Sequence, residues 1–361
     1  MRCWRGELRS RIRACVFQSI AVLATLSFSV AASGKANSPT ITTSSDQRLQ
    51  LVLGERRDDI LAAVNDVAED GYRLVAASTT ARIVGSAGLA CLLEKCTDGD
   101  ATEHQYAFVQ GMTAKRLGRE IRELADLGFR IPSWGLLARW ADYIEAAAPK
   151  AFVVMERSGE APVRDYHVVD VAMGRKRLIA TTEQACENGD RLIGLHASGR
   201  AAGMTFWERL PATQISDDTR PCDGRYEYVS HPNLRKLMEQ LAERGNEGYR
   251  LLAASGLGLL LERPGDPPQV FSYRFPCTPR DPCEEAVATM NAWASEGFRL
   301  WPSSPYFIMV KDHDPETIPA IEYRLIGPAP AHELLDALSE ARANGFRIID
   351  LLGDDAVLLE R

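Results

Sequence analysis

Apolar positions along this chain follow two alternating periods, and the alternation recurs six times. Leu234, Leu237, Met238 and Leu241 lie at i, i+3, i+4 and i+7, one stripe of an amphipathic helix. Val287, Met290 and Ala294 repeat the stripe, with Trp293 beside it. Tyr226 to Val229, Phe152 to Met155 and Leu259 to Leu261 are short apolar or aromatic runs, which predict strands. Each predicted helix ends in glycine: Gly71, Gly128, Gly189, Gly248, Gly297 and Gly345. Glycine at that place closes a helix in the left-handed conformation at least steric cost. An aromatic residue and an arginine follow in five cases. The arginines of all six are Arg73, Arg130, Arg191, Arg250, Arg299 and Arg347; only the third unit breaks the phrase, with Asp190 for the aromatic.

Self-similarity at a period of tens of residues predicts a repeat architecture. The expected fold class is α+β: six tandem β-α-β-β units, each a split β-α-β with a hairpin. The crossover helix makes the first two strands parallel, and the third returns between them. In the last unit Phe346 and Ile348 point one way and Ile349 and Leu351 the other, so both sheet faces are apolar. One helix covers one face. The second must pack on another unit, and the expectation is sheets packed between repeats with helices outside.

Pairing the last hairpin around Gly353 and Asp354 sets Arg347 opposite Glu360, and pairing the fourth around Gly256 sets Arg250 opposite Glu262. Glu94, Glu156 and Glu208 are the equivalents, while the fifth unit has Val310. Cross-strand opposite charges contribute roughly 0.2–1 kcal/mol and help fix register. The arginines therefore read first as structural, with a row of anion-binding residues as the alternative.

Tyr226 to Tyr228, a helix, Glu247 to Leu251 and Leu259 to Arg263 together resemble a small bacterial domain family of unknown function. Its members read Tyr-x-Tyr, helix, Gly-Trp-Glu-Leu and a last strand ending in Lys-Arg; here Tyr or Phe stands for the Trp and Arg for the Glu. The resemblance implies the β-α-β-β unit, six times over, and no catalytic residue.

Residues 1–34 read as a signal peptide. Arg2, Arg5, Arg9, Arg11 and Arg13 precede an apolar run from Ala14 to Ala32, and small residues end it near Ala32–Gly34. An uncleaved anchor is the alternative. Its removal takes five arginines and one glutamate, leaving 37 basic and 48 acidic residues, a net charge of −11. That balance disfavours nucleic acid and anionic membrane surfaces as partners. The expected location is the bacterial periplasm or exterior. Residues 35–47 are expected to be a flexible segment, 48–210 repeats 1–3, 211–223 a Pro-bracketed linker, and 224–361 repeats 4–6.

In an oxidising compartment the six remaining cysteines read as disulfide candidates. Cys277 with Cys283 and Cys186 with Cys222 are plausible pairs. Cys91 and Cys96 are harder, because on one extended strand they lie about 16 Å apart and bridge only if the chain turns after Glu94. No cofactor or metal is expected: no histidine lies at zinc spacing from a cysteine, and Asp312 to Asp314 reads as a linker. No nucleophile elbow, P-loop or dinucleotide fingerprint occurs.

Glycine spacings of 57, 61, 59, 49 and 48 residues place extra chain in the early units. The segment from Ser133 to Pro149 carries Trp134, Trp140 and Tyr143, the preferred partner contact; aromatic cover for a neighbouring repeat is the alternative. The expected function is an exported, non-catalytic binding or assembly module, its partner another envelope protein or peptide. The alternatives are a small-ligand sensor, or an enzyme sited between the two halves near His167, Asp170, Asp190 and His196.

Overall fold

The computed structural model describes residues 38–361 apart from 84–85, 97–102, 112, 133–134, 138–150, 160–163, 171–174, 199–201, 210–224, 232, 256–257, 265–268, 277–283, 302–306, 313–320 and 352–355. Trp134, Trp140, Tyr143, Cys222, Cys277, Cys283, the 211–223 linker and the 1–34 signal segment lie outside the described residues. Ser38–Arg361 forms one compact unit. It is α+β, with six helices and six small antiparallel sheets among the described residues, in roughly repeated units.

The first unit holds β1 (Thr40–Thr43), β2 (Leu49–Gly54), α1 (Arg57–Glu69), β3 (Tyr72–Ile83) and β4 (Ser86–Lys95). The second holds β5 (His104–Gly111), α2 (Ala114–Asp126), β6 (Leu136–Leu137) and β7 (Ala151–Ser158). In the third are β8 (Asp165–Asp170), α3 (Arg175–Glu187), β9 (Asp190–Ser198) and β10 (Ala202–Arg209). The fourth comprises β11 (Arg225–Ser230), α4 (Leu234–Asn246), β12 (Arg250–Ser255) and β13 (Gly258–Arg263). The fifth comprises β14 (Phe271–Arg274), α5 (Glu284–Ser295), β15 (Arg299–Leu300) and β16 (Met309–Asp312). The sixth ends the chain with β17 (Tyr323–Ile326), α6 (Ala331–Ala343), β18 (Arg347–Leu351) and β19 (Val357–Glu360).

In every sheet the last strand of the unit is central and antiparallel to both neighbours, as in the order β11-β13-β12. The six helix-ending glycines have φ between 75° and 93°. The following aromatic donates its N–H back across the turn, as from Phe346 to Ala341 O and from Tyr249 to Arg244 O. This satisfies carbonyls that the helix end leaves open. Two residues past the repeated arginine, Val75, Ile193, Leu252 and Ile349 sit at β-bulges. The bulge is the physical source of the switch between faces at Ile348 and Ile349.

The core lies between units. One cluster joins Val64 and Val67 of α1 to Tyr106 and Phe152 of the second unit, and the other four consecutive pairs are joined likewise. A sixth cluster joins Leu334, Leu335 and Leu338 of α6 to Leu49, Leu51 and Leu92 of the first unit. The joins therefore form a closed cycle, each helix reaching the first strand of the next unit and α6 reaching β2. Closure covers both terminal faces, which an open repeat array must otherwise cap with polar repeats.

Three expectations are corrected. The second face of each sheet meets the helix of the preceding unit, so helices lie against two sheets rather than outside a sheet-on-sheet core. Within 35–47, Thr40–Thr43 is a strand paired with β2, because its β-branched run completes that strand's open edge. And β4 runs on through Cys91 to Lys95, so the turn needed after Glu94 is absent and no disulfide joins Cys91 to Cys96. The Cys91 thiol is fully buried, and burial raises its pKa. Cys186 is disulfide-bonded.

Candidate functional site

The repeated arginine is one candidate for function, and five of the six units position it alike. It lies at or before the start of the second strand, with the central strand's glutamate directly opposite: Arg73 to Glu94, Arg130 to Glu156, Arg191 to Glu208, Arg250 to Glu262 and Arg347 to Glu360. All five pairs make ion pairs, at 2.5 Å for Arg250 and 3.4 Å for Arg73. Glu208 and Glu262 are 3% and 1% exposed, so their carboxylates depend on these partners.

A tyrosine from the first strand completes the group. Tyr106 donates to Glu156 at 3.2 Å, and Tyr226 to Glu262 at 3.0 Å. Its hydroxyl oxygen also accepts a backbone N–H from the preceding unit: Tyr106 from Leu74, Tyr166 from Ile131, Tyr273 from Leu251 and Tyr323 from Leu300, at 2.7 to 3.1 Å. In each case the donor is the residue after the repeated arginine, at a sheet edge whose outward N–H groups would otherwise be open. Burial foremost raises the tyrosine pKa values, to about 12 for Tyr166. These phenols stay protonated at neutral pH and serve as two-sided hydrogen-bonding groups. The fifth unit has Val310 for the glutamate, and there Tyr273 donates to Tyr249 O at 3.2 Å. Arg299 is exposed and makes no ion pair among the described residues.

A second pair emerges on the opposite face of four of the hairpins. The basic residue ending the central strand covers the aromatic of the repeated phrase: Lys95 over Tyr72, Arg157 over Phe129, Lys311 over Phe298 and Arg361 over Phe346, at 4.6 to 6.0 Å from the ring centroid. In the third unit the same two positions hold Asp190 and Arg209, joined at 2.9 Å with Asp190 buried. An ion pair thus replaces a cation–π contact. The recurrent Glu-basic ending already carried the signal for this second pairing.

The third-unit enzyme candidates are separated by their own sheet. Asp170 and His196 both lie opposite Met204, whereas His167 lies opposite Trp207 and Asp190 opposite Arg209. Residues 204 and 207 of one regular strand project from opposite faces. His167 sits 3.2 Å from Asp165, and Asp165 lies 3.8 Å from Arg209. Asp170 is exposed and His196 buried. The four side chains do not converge. A depression lined by Arg119, Arg122, Glu123, Asp126, Arg164 and Asp165 mixes both signs of charge and selects neither anion nor cation.

Among the described residues no group of three His, Cys, Asp or Glu has metal-binding geometry, and no helix is long and apolar enough to cross a membrane. No family model, curated protein or solved structure matches this chain.

Proposed function

We propose that this protein is an exported, non-catalytic scaffold of six tandem β-α-β-β repeats, serving as a binding or assembly module in the bacterial envelope. The observation that carries this reading is where the shared polar residues go. Arginine, glutamate and tyrosine recur in almost every unit, and their hydrogen bonds are made within the unit or to the preceding one. Residues that repeat with the fold and are satisfied inside it serve assembly. Recognition then falls to what the units do not share. The insert of the second unit, with Trp134, Trp140 and Tyr143, is the proposed contact, and an envelope protein or peptide its partner.

Export comes first in the test. The full chain with a C-terminal tag is expressed in a Gram-negative host, fractionated, and its mature N-terminus sequenced; cleavage near Ala32–Gly34 is expected. A photo-crosslinker replacing Tyr143 should then capture a defined envelope partner that a crosslinker replacing Arg347 does not. An unprocessed cytoplasmic chain, or identical capture from both positions, overturns the proposal.

A further inference from the structure

Consecutive units recognise each other through one residue code at five joins and a different one at the sixth. At the five, the incoming sheet supplies a tyrosine from its first strand: Tyr106, Tyr166, Tyr226, Tyr273 and Tyr323. The helix that meets it carries a small residue three positions before its closing glycine: Ala68, Ala125, Cys186, Gly245 and Ala294. Space decides the choice. A Cβ at Gly245 would lie 2.3 Å from Phe271 O and 2.8 Å from the Tyr273 ring. Cys186 Sγ lies 3.2 Å from the Tyr226 hydroxyl.

At the closing join both positions change together. Leu49 stands where the tyrosine would be, opposite Glu94, and Arg342 stands where the small residue would be. The guanidinium bonds the central-strand glutamate that a phenol bonds in the second and fourth units. It donates to Glu94 at 2.7 Å through Nε and to Phe346 O at 2.9 Å. A second set of bonds is also particular to this join: Ser45 N–H to Asp336 at 2.7 Å, and the Ser339 hydroxyl to Asp46 at 2.9 Å.

We propose that the contact between α6 and the first sheet is a dedicated latch, in which Arg342 and Leu49 make the last helix selective for the first sheet over the five that bear tyrosine. Mismatches are penalised in both directions. Arg342 has no room against a sheet bearing tyrosine, and the Leu49 sheet offers a helix with alanine no hydroxyl for Glu94. Selectivity matters because head-to-tail interfaces close into a cycle or propagate into a filament. Six equivalent joins would otherwise let the last helix dock on any of the six sheets, in its own chain or in another.

Hydrogen exchange and sedimentation velocity on the mature chain test this. Arg342→Ala should speed exchange of α6 amides and of Ser45 N–H at least tenfold, leave Leu251 and Ile131 N–H at the other joins unchanged, and produce concentration-dependent dimers. Leu49→Tyr alone should act in the same direction. Combined with Arg342→Ala it restores the code of the other five joins and should recover most of the protection. If Arg342→Ala does not fold, Arg342→Lys keeps the charge, loses the fork and should show a smaller local effect. Uniform acceleration at all joins, no acceleration at α6, or a double variant no better than the singles' sum overturns the latch.

Discussion

The join between the fourth and fifth units and the join between the sixth and first bury the same kind of core but seal it with opposite chemistry. At the first, α4 thins to Gly245 so that Tyr273 can lie against it and accept the Leu251 N–H. At the second, α6 thickens to Arg342, and the sheet gives way with Leu49. Apolar burial holds neighbours together without choosing between them, since it is non-directional. Shape and hydrogen-bond polarity at one pair of positions supply the choice.

The largest effects should show what the two joins share. Leu241→Ala and Leu335→Ala, both at fully buried positions, are each expected to cost about 2–5 kcal/mol by chemical denaturation. A much smaller loss at Leu335 would mean that the closing join is not a true core. Gly245→Ala comes next, and here the sign is informative. In an open helix the change gains about 1 kcal/mol, but overpacking against Phe271 O should turn it into a net loss of about 1–2 kcal/mol. Tyr273→Phe should cost about 1–2 kcal/mol by leaving the Leu251 N–H without its acceptor, with faster exchange at that amide as the specific readout. Arg347→Ala, at a side chain 73% exposed, should cost under about 1 kcal/mol, seen as a small fall in Tm with partner capture intact.

The smallest effect is one of pH, and it belongs to the closing join alone. Burial pushes the Asp46 carboxyl up, but hydrogen bonds from Ser44, the Arg48 N–H and Ser339 outweigh it and leave the pKa lowered. A depressed folded value means the contribution is full above the ordinary carboxylate range and is lost as pH falls through the lower one. Asp336, held by the Ser45 N–H, has its pKa lowered in the same way; acid titration below about pH 4 should therefore loosen α6 before α4, and Asp46→Asn combined with Asp336→Asn should remove that difference. Simultaneous loosening of both helices in the unsubstituted chain would show that Asp46 and Asp336 carry no special role.

Much of the local design was legible in particular residues. The six glycines announced six helix ends, and Arg347 opposite Glu360 followed from counting across a hairpin. The face switch at Ile348 and Ile349 was visible too, although its cause, a bulge, appears only with the register. What stayed hidden was every contact between units. Nothing local to Tyr273 says that its hydroxyl serves Leu251. Asp190 looked like a break in the pattern until Arg209 was seen beside it. The candidates His167, Asp170, Asp190 and His196 are close in sequence and divided by a sheet, because alternate residues of a strand project to opposite sides.

The amino-acid sequence by itself determined the elements: where helices stop, which residues alternate, and which charges meet across a hairpin. Those depend on neighbours a few positions to some tens of residues away, and the chain writes them as periods. Tertiary structure alone decided that the six units close on themselves and that Leu49 answers Arg342 across 293 residues of chain. Such a pairing leaves no period to read. It exists only where two distant surfaces meet and must fill the same space.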